Sequence, residues 1–226
     1  MGALGAVVEP APTVSTLPFF YRRLHSVLGI IPIGAFLVSH LATNVLVATN
    51  TPEADNYQTQ VNRIHALGPL LLPVEVLFIF LPLAFHAGLG LKIWLQGEPN
   101  TLLYPYWANV RYMLQRATGI VALLFILAHL WHMHWLGKAL GGGFFDPQHA
   151  SSTAAAAMQQ NALWPVLYAI GITCACFHLA NGTWTFLITW GITVGPQAQR
   201  TFGYACAVIG VGLTITGLVA LNGFLR

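Results

Sequence analysis

The chain has 226 residues, of which nine are Lys or Arg and six are Asp or Glu, so only 7% are charged and the formal net charge is +3. A soluble domain carries about 25% charged residues; with 56% apolar residues and a mean hydropathy of +0.67, this chain has too little polar surface to face water and points to lipid as its main solvent. The same figures exclude a disordered or collagen-like chain, and a net charge of +3 spread along the sequence makes no face for binding nucleic acid.

In chain order, residues 1–19 form a Pro-rich N-terminal leader and residues 20–226 the domain that follows. The Arg22-Arg23 pair before an apolar run resembles the start of a twin-arginine export signal. The first 20 residues hold no basic residue, however, and no small-x-small cleavage site follows the run, so an uncleaved span is expected. Charge-free stretches mark the spans, since about 20 apolar residues cross a bilayer as a helix. They run over 24–52, 76–91, 117–137, 147–199 and 201–225. The second lengthens to 69–96 once Glu75 and Lys92 are admitted, and the fourth shortens to 162–191 because its first part, HASSTAAAAMQQN, is polar or small. The expected fold is an all-α membrane protein with five transmembrane helices, the first four as an antiparallel bundle.

Polar connectors with clustered Pro and Gly separate the spans at 49–68, 97–107, 139–161 and 193–199. No internal repeat recurs at a fixed period. Cys174, Cys176 and Cys206 all sit in apolar runs, and i, i+2 sulfurs point to different helix faces, so neither a disulfide framework nor a zinc site follows. With the N-terminus in the cytoplasm, Arg22, Arg23, Lys92, Arg111, Arg116 and Arg200 lie inside, against Arg63, Lys138 and Arg226 outside. The positive-inside rule favours that orientation.

A polar side chain within a span is expensive and is by default a functional hypothesis. His40, His86, His129 and His178 stand one in each of the first four spans. At 1.5 Å per residue, His40 lies about 22 Å and His129 about 26 Å from the inner side, while His86 lies about 26 Å and His178 about 24 Å from the outer side. His40 therefore matches His129 in depth, and His86 matches His178. Two imidazoles facing each other across a gap between helices are bis-axial ligands for a haem iron, so two depth-matched pairs imply two haems. The plainer reading is four histidines separately bonded to neighbours. Gly88, Gly90 and Gly182, with Phe85, Trp131, Phe177 and Trp184, supply the small and flat contacts a porphyrin needs. His132 shares a face with His129 and competes as ligand; His25, His65, His134 and His149 read as interfacial. Glu75, about 9 Å into the second span, is either a proton-handling carboxylate or a helix-packing group.

The strings FYRRLHSVLGIIPIGAFLVSHL (20–41), FLPLAFHAGLG (80–90), QRATGIVALLFILAHLW (115–131) and FHLANGTWTFLITWGIT (177–193) resemble the cytochrome b membrane anchor of succinate:quinone oxidoreductases, in the class where one five-helix chain holds two haems b and serves menaquinone. The resemblance runs from about Phe20 to the C-terminus and implies an inner, proximal haem on His86 and His178 and an outer, distal haem on His40 and His129. It also implies a bacterial cytoplasmic membrane as the location and a cytoplasmic face that docks an iron-sulfur subunit, itself bound to a flavoprotein where succinate and fumarate interconvert. The chain is then the electron-transfer subunit of an enzyme complex, with no dicarboxylate site of its own. The leader and the alanine-rich stretch 154–157 depart from the pattern. The quinone is expected at the outer half, near Asn44, His65, Glu75 and His132, with the inner face near Gln115 and Arg116 as the competing site. A dihaem cytochrome b of a hydrogenase or formate dehydrogenase, and a haem-free channel or transporter, are the alternatives.

Overall fold

A computed structural model describes residues 17–96 and 101–226; most of the expected leader therefore lies outside the described residues. Five helices are long and apolar enough to cross a membrane. We call them α1 (Phe19–Thr49), α3 (Gly68–Gln96), α4 (Trp107–Met133), α6 (Leu163–Thr189) and α7 (Pro196–Phe224). Two shorter helices lie between them, α2 (Asn56–His65) and α5 (Ala150–Gln159). Among the described residues there is no strand, only an isolated bridge between Thr51 and Ala54.

Four spans match the charge-free stretches closely, but α4 begins ten residues before the charge-free stretch 117–137 and five before Tyr112, from which the depth of His129 is counted. The extension carries Arg111 and Arg116, and both are satisfied within the protein. Arg111 Nε donates to Asn181 Oδ1 at 2.7 Å, and Arg116 donates to the Trp94 carbonyl. A charge with a partner and a flexible stem can occupy the end of a span. α4 stops at Met133 because His134 turns to an extended backbone and opens a short 3₁₀ turn over Trp135–Leu140.

Two spans are interrupted by π turns. In α1 the turn Gly29–Gly34 contains Pro32, which has no N–H to donate and crowds the carbonyl four residues back, so the helix widens there. α3 does the same at Val76–Phe80, where the Leu81 N–H reaches back to the Val76 carbonyl just before Pro82. The two π turns pack against one another. In this way the backbone is loosened in the region where the histidines of α1 and α3 approach.

The spans are apolar on the outside, as a lipid solvent requires. Val208 and Val211 of α7 are 73% and 60% exposed, while Asn181 of α6 is 3% exposed. α6 and α7 pack most closely, through Gly203, Gly210 and Gly217 at seven-residue spacing. A Cβ on these would meet Trp184, Ala180 and Ile172 of α6. Without a hydrophobic driving force in lipid, small residues permit the backbone approach that gives such helices their contact.

The end where α1 begins carries Arg22, Arg23, Arg111 and Arg116, and we call it the basic end; the opposite one is the capped end. At the capped end α2 and α5, expected only as polar connectors, fold over the helix termini. Tyr57, Val61, Ala154, Met158 and Phe224 form a buried cluster there. Asp55 caps α2 by accepting from the Gln58 N–H, and also accepts from Ser151 Oγ at 2.7 Å. Gln58 joins the two helices, accepting from the Ala150 N–H at 2.6 Å and donating to the Pro147 carbonyl at 2.8 Å.

Candidate functional site

Histidines gather in two layers along the helices. In the layer nearer the basic end, the His86 and His178 ring centres are 6.1 Å apart with nearly perpendicular planes, and His25 stacks on His86 at 4.0 Å. His86 Nδ1 donates to the His25 carbonyl at 2.8 Å, and His25 Nδ1 donates to the His86 carbonyl at 2.9 Å. His178 is held by the same device, its Nδ1 donating to the Gln115 carbonyl at 3.0 Å while Gln115 Nε2 donates to the His178 carbonyl at 3.0 Å. A carbonyl only accepts, so each Nδ1 carries the proton and each neutral ring presents an unprotonated Nε2.

Polar groups continue from Gln115 toward the basic end. Asn181 Nδ2 donates to Gln115 Oε1 at 2.8 Å and Arg111 donates to Asn181. The Arg111 guanidinium lies 3.6 Å over the Trp184 ring, whose Nε1 donates to the Gln199 carbonyl. The Arg22-Arg23 motif contributes packing at this end, with Arg23 4.9 Å from the Trp190 ring centre.

Glycines make room for the rings. A Cβ on Gly29 would strike the His86 imidazole, and one on Gly119 would lie 2.8 Å from His178 Cε1. Of the glycines singled out in the sequence, Gly90 serves His25 in this way, Gly182 sits near Gln115 Nε2, and Gly88 has open space around it.

In the second layer, nearer the capped end, the His40 and His129 ring centres are 5.8 Å apart, again nearly perpendicular. Phe36 stacks on His40 and Phe125 lies against His129. The Tyr168 hydroxyl is 3.1 Å from His129 Nδ1 and 3.1 Å from His132 Nδ1. His132 is fully buried and stacked on Trp164 at 3.7 Å. Both close pairs, His86 with His178 and His40 with His129, join residues of matched depth.

The four quinone candidates are not assembled: among the described contacts, none joins one of them to another. Asn44 donates to the His40 carbonyl one helical turn back, His65 ends α2, and His132 is enclosed between α4 and α6. Glu75 instead meets His134, with His134 Nε2 at 4.0 Å from Glu75 Oε2, beyond direct hydrogen-bond length. Phe80 and Trp135 lie against the same imidazole. Burial lowers the His134 pKa below its ordinary value.

Sequence reasoning missed Gly29, Gly119 and Tyr168, read His25 and His134 only as interfacial, and named Gln115 only for the competing quinone site. Depth would have found Tyr168, which lies ten residues, about 15 Å, from His178 toward the capped end and so in the layer of His129. The bonds that tie Gln115 to His178 and His25 to His86 run to main-chain carbonyls, which carry no signature in side-chain pattern. Among the described residues, no group of three or more His, Cys, Asp or Glu could hold a bare metal ion.

No family model matches the chain. Over 206 residues it is 35% identical to the succinate dehydrogenase cytochrome b558 subunit of Bacillus subtilis, an alignment that covers 91% of this chain and 96% of that protein.

Proposed function

The chain belongs to the family of succinate dehydrogenase cytochrome b subunits, and from that premise we propose that it passes electrons between an iron-sulfur subunit and menaquinone through two haems b. It is a multi-pass membrane-anchor subunit of an oxidoreductase complex. The proximal haem is assigned to His86 and His178 and the distal haem to His40 and His129. The observation that carries the assignment is the disposition of the rings. The rings of each pair come from different helices and stand 6.1 and 5.8 Å apart, so each pair would hold one haem iron between them.

The donor set fits the group. A ligating histidine commonly gives its second ring N–H to a carbonyl or other acceptor, which fixes the tautomer and raises the basicity of the ligating nitrogen. His86 and His178 have that arrangement, and His129 has Tyr168 in the corresponding place. Gly29 and Gly119 leave these imidazoles their space. When bound, the haems supply the one-electron chemistry; the chain orients their ligands, surrounds them with apolar side chains and excludes water.

With the basic end in the bacterial cytoplasm, in keeping with the positive-inside rule, the proximal haem faces the iron-sulfur subunit, to which a flavoprotein with the dicarboxylate site is attached. A second haem further out serves an acceptor beyond it, so the quinone site belongs near the capped end. There Glu75 of α3 and His134 beside the end of α4 meet, with Phe80 and Trp135 as flat walls. Of the quinone candidates read from the sequence, Asn44, His65, Glu75 and His132, Glu75 is kept and His134 is added beside it. Quinone reduction consumes protons, and a carboxylate beside an imidazole near an interface can deliver them. Purification of the intact complex followed by pyridine-haemochrome analysis tests the assignment: two haems b per chain, low-spin in EPR, are expected, and one haem or high-spin iron at both sites would refute it.

A further inference from the structure

The Tyr168 hydroxyl stands between two imidazoles, 3.1 Å from the Nδ1 of His129 and 3.1 Å from the Nδ1 of His132. It has one proton and can donate to only one of them. The other nitrogen must be a donor. An imidazole that binds iron through Nε2 keeps its proton on Nδ1, so His129 donates to the Tyr168 oxygen. The Tyr168 proton then has one place to go, the Nδ1 of His132. That in turn fixes His132 as the tautomer with its proton on Nε2. His132 cannot turn to trade these roles, because its ring is fully buried and stacked on Trp164 at 3.7 Å with planes 8° apart.

His132 Nε2 is buried without a hydrogen-bond partner of acceptable geometry, although the Gln160 side chain is close enough to interact with it. A fully buried histidine with one unmatched nitrogen is costly, which asks for a reason beyond packing. We propose that Tyr168 is a positioning residue for the haem on His129, and that His132 fixes the direction of the Tyr168 hydroxyl proton. The inference rests on the reading of His129 as an iron ligand. A Tyr168 oxygen that gives its own proton to His132 is a better acceptor for His129. Stronger acceptance from Nδ1–H makes the ligating nitrogen more electron-rich, which favours the oxidised iron and holds the potential of that haem down. The His86/His178 haem has carbonyl acceptors of its own and lies outside this network.

The test is a redox titration of both haems in the purified complex, unsubstituted and carrying Tyr168→Phe, His132→Phe or His132→Gln. The unsubstituted complex is expected to show two haems. Tyr168→Phe retains both and moves one midpoint potential upward, the haem that His40→Ala removes, while the other stays in place. His132→Phe moves the same haem in the same direction by less, and the amide of His132→Gln, which can accept from Tyr168, restores part of the shift. Unchanged potentials in both Tyr168→Phe and His132→Phe, a downward shift, or a shift confined to the His86/His178 haem would overturn the proposal while leaving two haems in place. An unsubstituted complex with fewer than two haems would overturn the ligand reading itself, and this proposal with it.

Discussion

Replacement of Asn181 by Ala tests how far the layer nearer the basic end depends on its polar support. Asn181 is 3% exposed, accepts the Arg111 Nε–H at 2.7 Å and donates to Gln115 Oε1 at 2.8 Å. The Ala variant leaves a buried amide oxygen on Gln115 and a guanidinium N–H without their partners. A hydrogen bond to a charged group contributes about 1.5–3 kcal/mol and a neutral one about 0.5–1.5, whereas polar contacts between membrane helices average about 0.6 and reach about 1.7. Arg111 still lies over Trp184, and its remaining N–H groups are near the basic end, so the lower halves of these ranges apply. The expected loss is about 2–3 kcal/mol. Reversible unfolding in mixed micelles measures it, and a double-mutant cycle with Arg111→Met should return a coupling of about 0.6–1.1 kcal/mol. Gln115 holds His178 through two bonds, its carbonyl accepting from His178 Nδ1 and its side-chain amide donating to the His178 carbonyl, so the spectrum of the proximal haem should broaden while the distal one is unchanged. A loss below about 0.5 kcal/mol, the level of an ordinary surface substitution, with both spectra intact would refute the reasoning.

Gly119→Ala sets a Cβ 2.8 Å from His178 Cε1 and should disturb the proximal haem alone, read as a changed optical α-band with the distal band retained. Glu75→Gln removes the carboxylate beside His134; quinone reduction should fall at least tenfold while both haems remain reducible by succinate. Gln58→Ala cuts the link from α2 to the segment leading into α5. Faster proteolysis in 139–149 and a loss of about 1–3 kcal/mol are expected, with haem content unchanged.

The spans and the depth pairs were legible because membrane solvent imposes a length and a polarity on each helix, and because 1.5 Å per residue turns sequence position into depth. His40 and His129, and His86 and His178, needed nothing further to be matched. What was hidden follows from the same physics. The start of α4 was misplaced because Arg111 and Arg116 are satisfied by partners on other helices, which no charge-free window can register. Pro32 was not read as an irregularity within α1, and nothing in the spacing said that a widened turn there would bring Gly29 against His86. The connectors at the capped end looked like loops because α5 is made of alanine and short polar residues; their burial depends on Tyr57, Val61 and Phe224, which come from distant parts of the chain. His132 and His134 differ by two residues and therefore point to different faces, and only the tertiary packing decides which one meets Glu75.

Spectrally resolved substitution of the four candidate ligands tests the central claim most directly. The intact complex carrying His86→Ala, His178→Ala, His40→Ala or His129→Ala in turn is titrated and its low-spin EPR signals are recorded. The account predicts that His86→Ala and His178→Ala abolish one and the same signal and leave the other, and that His40→Ala and His129→Ala do the reverse. A signal lost in common by His40→Ala and His86→Ala, or two signals surviving any of the four substitutions, would contradict it.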